Sequence, residues 1–296
     1  METYTFCVEQ KDVNERLDVF LAKLIPDCPS RAFVQRLIKE GLVLVNGKKE
    51  KSHYKIILGD SIEAIVKLQP LDDIQAENIP LDIFYEDEDL VVISKPAGMT
   101  VHPGSGCHQG TLANALLYHC KELSSLNDKS RPGIVHRLDK ETSGLMVAAK
   151  NNRTHALLAR QFEKRTVQKC YVALVEGDVQ FDEGVIDAPL GPDPHHREKR
   201  SVLAFGTKPA QTFYKVLKRL KGSTLVLLMP RTGRTHQLRV HMAHLGHPIL
   251  GDDKYGKGRS FARLALHAKT LSFQHPKTRQ RVEFSSPTPA EFLAYN

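Results

Sequence analysis

In the stretch GIVHRLDKETSGLMVAAKN, from Gly133 to Asn151, one carboxylate stands between apolar flanks: Asp139, with Arg137 two residues before it and Thr142, Ser143 and Gly144 after it. A carboxylate held near buried neighbours is a candidate for proton transfer or nucleophilic attack. The plainer explanation is a turn, since the Asp of DKETSG can accept backbone N–H bonds. Two other stretches carry comparable material. QKCYVALVEG, from Gln168 to Gly177, reads as a strand with Tyr171, Ala173 and Val175 on one face. Tyr171 could be no more than a half-buried strand aromatic. RTGRTHQLRVHMAHLGHPILGD, from Arg231 to Asp252, sets Arg231, Arg234 and Arg239 among glycines. Phosphate contact or plain surface charge would account for arginines of this kind.

Other chemistries find little support. GSGCHQG has the spacing GxGxxxG and follows a turn and a short strand, so it does not read as a dinucleotide loop. His236, His241, His244 and His247 lie close in sequence without an HExxH pattern, which favours backbone or phosphate contacts over a metal. There is no GxSxG elbow and no GxxxxGK[ST] loop. The five cysteines, Cys7, Cys28, Cys107, Cys120 and Cys170, form no CxxC pair and read as reduced, mostly buried thiols. No metal is expected.

Charge points to a polyanionic partner. The 296 residues carry a net +8, unevenly spread: +1 over residues 1–70, −8 over 71–90 and +15 over 91–296. A +15 body attracts nucleic acid before other partners. The opening residues show no apolar signal region, and no apolar run approaches the ~18 residues of a membrane span. The chain therefore reads as soluble and cytoplasmic.

The elements that must position these groups fall into two sets. ERLDVFLAKLI has helical spacing in Leu17, Phe20, Leu21, Leu24 and Ile25. SRAFVQRLIKEG begins at an N-cap, Ser30, and stops at Gly41. Its Phe33, Val34, Leu37 and Ile38 share one face, and Arg31, Gln35, Arg36 and Lys39 lie largely on the other. LVLVNGKKE is a strand ending in the Asn46-Gly47 hairpin signal, and YKIILGDSIEAIV reads as two short strands about Gly59-Asp60. DLVVISKPAGMTVHPG gives a buried strand, a turn at Pro96-Ala97-Gly98 and another short strand. Beyond it, strand-like runs, GIVHRLD among them, outnumber helices without regular crossovers. The fold class expected is α+β, with a mixed, mainly antiparallel sheet flanked by helices and loops.

Four of these stretches together resemble a known family. HRLDKETSG is similar to the catalytic motif of the RluA/RluD-type pseudouridine synthases, in which HRLD is followed two residues later by two Ser/Thr residues and Gly. YEDEDLVVISKPAGMTVHPG resembles the family's opening motif, QKCYVALVEG its tyrosine motif and RTGRTHQLRVHMAHLGHPILGD its arginine motif, all in order over residues 80–290. Residues 14–66 resemble the S4-like RNA-binding domain, a small α/β unit. The resemblance implies an S4-like domain over 1–70, an acidic linker over 71–84 and a catalytic domain over 85–296. VHPGSG, GTLANALLYHC and PGIVHRLDKETSGLMVAAK look closest to the branch that modifies a stem-loop of large-subunit ribosomal RNA.

The activity implied is isomerisation of uridine to pseudouridine without metal or organic cofactor. Asp139 would be the catalytic aspartate, Arg239 its charge partner and Tyr171 the ring stacked on uracil. Arg137, two residues from Asp139 on what reads as one strand face, would fill the place of the flipped base. His136 and Arg234 are further RNA-binding candidates, as are Arg31, Arg36 and Lys39 in the S4-like part. The basic stretch HHREKRSVLAFGTKPAQ, with Arg197, Lys199, Arg200 and Lys208, reads as a mobile hairpin gripping RNA from outside. A monomer acting on ribosomal RNA or an assembling subunit is expected. The alternatives are a non-catalytic RNA-binding or ribosome-assembly factor, and an RNA glycosylase that would release free uracil.

Overall fold

The helical spacing near the N-terminus forms α1 (Leu17–Leu24) and α2 (Arg31–Lys39), whose Leu17, Phe20, Leu21, Val34, Leu37 and Ile38 are buried together. A computed structural model describes residues 2–25, 31–66, 74–104, 107–124, 131–196, 198–202, 207–256 and 261–295. Cys28, Ser30, the Phe33 side chain and Arg197 lie outside the described residues. The chain divides into two units, Met1–Asp73 and Ile74–Asn296.

In the first unit the two helices pack with a three-stranded antiparallel sheet of order β1 (Glu2–Cys7), β3 (Ser61–Val66), β2 (Val43–Val45). β1 comes from a segment whose polar opening gave no strand signal; pairing with β3 along its whole length makes it one. At Asn46-Gly47 both residues have positive φ, the geometry of a two-residue hairpin turn, and Val45 and Lys48 exchange backbone bonds across it. The first of the two strands expected about Gly59-Asp60 does not form. The buried Asp60 carboxylate accepts from the Ile57 N–H, the Tyr54 hydroxyl and the Asn46 amide, which holds that stretch as a loop.

The second unit is built on a nine-stranded sheet. Its order is β4 (Asp82–Glu86), β5 (Leu90–Lys95), β6 (Ser143–Ala149), β13 (Leu266–Gln274), β7 (Gln168–Glu176), β12 (Ser223–Pro230), β11 (Gln211–Leu220), β8 (Glu183–Asp187), with β14 (Arg281–Ser285) on β13. A separate pair joins β9 (Leu190–Pro192) to β10 (Arg200–Val202). Helices α3 (Leu112–His119), α4 (Asn152–Glu163), α5 (Gln237–His244) and α6 (Ala290–Leu293) complete the unit. Among the described residues every strand pair is antiparallel except β6 with β13, so the expected mixed, mainly antiparallel α+β architecture is the one observed.

β5 and β6 are buried on both faces. Val91 and Ile93 enter the main core, while Leu90 and Val92 join Leu158 of α4 on the other side. The short strand expected after the Pro96-Ala97-Gly98 turn is absent; residues 100–103 run as bends and loop. Much of the stretch expected as an acidic linker belongs to this unit: 82–84 open β4, and the Asn114 side chain of α3 donates to the Gln75 carbonyl.

The stretch GIVHRLD is not a strand either. Ile134 makes one isolated bridge to Ala148, and the Val147 N–H, which a neighbouring strand would use, donates to the His136 imidazole at 3.1 Å. The chain then runs irregularly to Asp139.

Candidate active site

Asp139 and Tyr171 are far apart in sequence, and β13 joins them. Ala268 pairs with Gly144 of β6 on one side and with Tyr171 of β7 on the other. Gly144 has φ +114, and a Cβ there would fall against the Ala268 carbonyl and 2.6 Å from its amide nitrogen. The glycine of the TSG motif thus permits the close approach of β13 that closes the sheet beneath Asp139. One residue earlier, Ser143 bonds His267 Nδ1 at 2.9 Å, and His267 Nε2 bonds Ser286 at 2.7 Å. Burial takes His267 down to about 4, so the chain Ser143–His267–Ser286 is uncharged at neutral pH.

The loop on the other side is held by Lys95. Its fully buried ammonium donates to the carbonyls of Pro96, Met99 and Lys140 at 2.7–3.0 Å, and Lys140 follows Asp139 directly. The arginine motif is fixed by Gln237. Its side chain accepts from Thr232 Oγ1 and the Arg234 N–H and donates to the Gln211 carbonyl and Thr212 Oγ1. These bonds tie the loop after β12 to the start of β11.

The result is a cleft of about 460 Å³ lined by Asp139, Tyr171 and Arg239 together with Arg137, His136 and Arg234. Lys169, Arg165 and Arg231 also line it, against the acids Asp139 and Glu163. The Asp139 side chain is 23% exposed, and its Oδ2 lies 3.9 Å from Arg239 Nη1 and 4.0 Å from His236 Nε2.

Arg239 is the main departure from expectation. Its tight partner is Asp252, not Asp139: Nε donates to Oδ2 at 2.7 Å and Nη2 to Oδ1 at 2.6 Å, with Asp253 at 3.2 Å. Burial alone would lower the guanidinium pKa; the bonds it donates to Asp252 outweigh that, and the Arg239 pKa is raised. The tyrosine is buried. Burial first, then the Asp139 carboxylate, pushes its phenol well above the usual range, so Tyr171 is a neutral ring and not a resting base.

The remaining candidates divide. Arg137 is exposed at the cleft, although no strand carries it beside Asp139. Arg234 is half-buried and donates to the Pro209 carbonyl. His136 is no cationic RNA contact. It stacks on Phe162 with centroids 4.5 Å apart, and burial, then Lys169, takes it down to about 3. In the first unit, Arg31 is bound to Asp18 and is not free on the helix surface, while Arg36 and Lys39 are exposed. Lys199 and Arg200 lie at β10 and are half-buried; Lys208 is exposed and bridges Leu190. His241 Nε2 and His247 Nδ1 donate to the backbone carbonyls of Ala188 and Glu176, in line with the reading of that histidine cluster.

Asp252, His236 and Lys169 sit inside the quoted motifs, yet no role was legible for them. Tyr255 lies three residues past the last motif and gave no signal; its ring lies under the Arg239 guanidinium at 5.2 Å. Among the described residues one group, Glu86, His119 and Cys120, has metal-ligand spacing, and none of the three lines the cleft.

Comparison with known proteins assigns this sheet and cleft to a class. Residues 89–244 match the RNA pseudouridylate synthase family, and residues 15–62 match the S4 domain. The chain belongs to the RNA pseudouridylate synthase family and is an isomerase acting on RNA. It is 47% identical over 285 residues to the RNA pseudouridine synthase YlyB of Bacillus subtilis, covering 96% of this chain and 93% of that one. To the ribosomal large subunit pseudouridine synthase D of Neisseria meningitidis it is 46% identical over 290 residues, 93% of this chain and 76% of that one. The structure of human RNA pseudouridylate synthase domain containing 1 superposes with a TM-score of 0.60 at 30% identity, over 72% of this chain and 86% of that one. The resemblance drawn from the four motifs is thus borne out, and the non-catalytic alternative is set aside. No helix among the described residues is long and apolar enough to cross a membrane.

Proposed function

We propose that the chain isomerises uridines of large-subunit ribosomal RNA in the cytoplasm, as a monomer, with Asp139 as the catalytic carboxylate. The carrying observation is the convergence of Asp139, Tyr171 and Arg239 on one cationic cleft, with Asp139 partly exposed there. The relatives named for the large ribosomal subunit support the choice of RNA. The target uridine leaves its stack at a cost of a few kcal/mol and enters the cleft, where the Tyr171 ring offers its face to the uracil. Arg137, exposed at the cleft, takes up the vacated position or the flanking phosphate.

The C1′–N1 bond then breaks, the uracil turns, and C1′–C5 forms. The C5 hydrogen is given up and N1 gains one, so the net change is isomerisation. An ionised Asp139 serves this by attack at C1′ or by taking the 2′ proton. The Arg239 guanidinium, fixed by Asp252, places positive charge beside that carboxylate. The cations of the cleft, with Lys199 and Arg200 at β10 and Lys208 opposite Leu190, bind phosphate, so affinity falls steeply with salt.

The test is tritium release from ribosomal RNA labelled at uracil C5. Wild type releases tritium without free uracil, and Asp139→Asn loses about 10³-fold or more in rate while RNA binding stays near normal. Residual rates close to wild type would remove Asp139 from the mechanism, and free uracil would identify a glycosylase.

A further inference from the structure

The Asp139 carboxylate is left without a tight partner. Among the described residues no donor stands within hydrogen-bond distance of it, because Arg239 directs Nε and Nη2 at Asp252 and leaves only Nη1, 3.9 Å away. The other neighbour is His236, whose Nε2 is 4.0 Å from Asp139 Oδ2. His236 occupies the N-cap of α5 with left-handed φ +57, yet its side chain makes no capping bond. Its ring is turned into the cleft and rests edge-on against Tyr255, with centroids 5.6 Å apart.

The Tyr255 hydroxyl is placed to set which nitrogen of that ring carries the proton. The hydroxyl oxygen lies 2.8 Å from the Arg200 backbone N and 2.8 Å from His236 Nδ1. A backbone N–H can only donate, so the hydroxyl accepts from Arg200 and its own hydrogen is free for His236 Nδ1. When that hydrogen goes to Nδ1, Nδ1 accepts and the neutral ring carries its proton on Nε2, the nitrogen nearest Asp139. Neutrality is consistent with the surroundings: burial lowers His236, the nearby Arg239 and Lys254 act in the same direction, and Asp139 and Asp252 oppose them.

We propose that Tyr255 fixes His236 as the Nε2–H tautomer, and that this N–H, 4.0 Å from the Asp139 carboxylate in the free protein, closes to hydrogen-bond distance with bound uridine and aims the carboxylate at it. Because the Arg200 N–H sets the direction of the hydroxyl, the seating of β10 against Tyr255 sets the tautomer as well. The proposal rests on the reading of Asp139 as the catalytic carboxylate. It adds a group that touches neither sugar nor base and acts through Asp139.

Two measurements on the full chain test it. The first needs no RNA: ring 15N spectra, with His236 assigned from His236→Gln. An Nε2-protonated His236 in wild type, shifting toward the other tautomer in Tyr255→Phe, is expected. A wild-type ring protonated on Nδ1 overturns the proposal. The second is the single-turnover rate of tritium release at saturating ribosomal RNA. Tyr255→Phe keeps the ring against Arg239 and loses only the hydroxyl. This variant and His236→Ala should lose roughly 10-fold to 100-fold in rate, the range for a hydrogen bond to a charged group. The half-saturating RNA concentration should not change. His236→Gln, which places an amide N–H at similar reach, should recover most of the loss. Equal losses in the Ala and Gln variants, or none in either, overturn the positioning role. A wild-type protein that releases no tritium from this RNA overturns the catalytic reading, and the positioning role falls with it; that outcome is separate from the tautomer result.

Discussion

Two arginine–aspartate clusters, one in each unit, use the same ion pair in opposite senses. In the first unit the carboxylate is at the centre. Asp18 is fully buried and accepts from Arg16, Arg31 and Gln35 at 2.6–3.1 Å, while the two guanidiniums remain 38% and 48% exposed. Burial alone would raise the Asp18 carboxyl; its bonds from Arg16, Gln35 and Arg31 reverse this and hold it well below the usual carboxylate range. In the second unit the guanidinium is at the centre. Arg239 is 6% exposed, Asp252 takes it in a bidentate grip, and Asp139 is left at 3.9 Å and open to the cleft. The first cluster fans its cations outward from a buried carboxylate post. The second buries its cation and leaves one carboxylate unsaturated and open to the cleft.

The sharpest way to break the comparison is to remove the inner partner of the second cluster. Asp252→Ala removes the bidentate partner of a buried guanidinium and leaves it only Asp253 at 3.2 Å, at a cost of up to about 3–5 kcal/mol. Arg239 is then free to close on Asp139. Unfolding in urea should show the destabilisation, and tritium release should fall by about 100-fold or more even where the protein is fully folded. Activity like wild type in folded Asp252→Ala would mean that the Arg239–Asp252 pair does not set the state of Asp139.

A smaller effect is expected at Tyr171. Tyr171→Phe keeps the ring and should retain most binding of the target, whereas Tyr171→Ala should weaken single-turnover rates by roughly 10-fold or more through lost stacking. Equal activity in both variants would remove the stacking role.

In the first cluster, Asp18→Ala frees Arg16 and Arg31 without removing a positive charge from the surface. If the post matters, RNA affinity falls several-fold despite the more positive protein, and a filter-binding titration across salt concentrations shows it. Tighter binding would indicate that net charge alone governs this unit.

The effect furthest from the chemistry concerns pH and stability. His267 lies at about 4 when folded against 6.5 in an unfolded chain, so the unfolded state takes up the proton first as the pH falls. The stabilisation is complete above pH 6.5 and is lost as the pH falls toward 4, by at most about 3 kcal/mol. Urea unfolding at pH 7 and pH 5 should reveal the loss, and His267→Gln should flatten that dependence while costing stability at pH 7.

The sequence by itself determined the family and the α+β class, and it pointed to Asp139, Tyr171 and Arg239, which the structure brings to one cleft, because those motifs are local runs whose order and spacing are specific. The hairpin turn at Asn46-Gly47 and the helices α1 and α2 were legible for a like reason: turn chemistry and apolar spacing act within a few residues. Partnership was not legible. Arg239 reaches Asp252 and not Asp139 because α5 and the Asp252 turn are brought together in space, and a guanidinium has a limited number of directions to donate. Asp139 meets Tyr171 through Ala268, a residue of β13 with no chemical signal of its own. HRLD escapes the strand its apolar pattern suggests because the His136 side chain takes the Val147 N–H. Such outcomes depend on which donor finds which acceptor across the sheet, a competition between groups distant in sequence that only the tertiary structure decides.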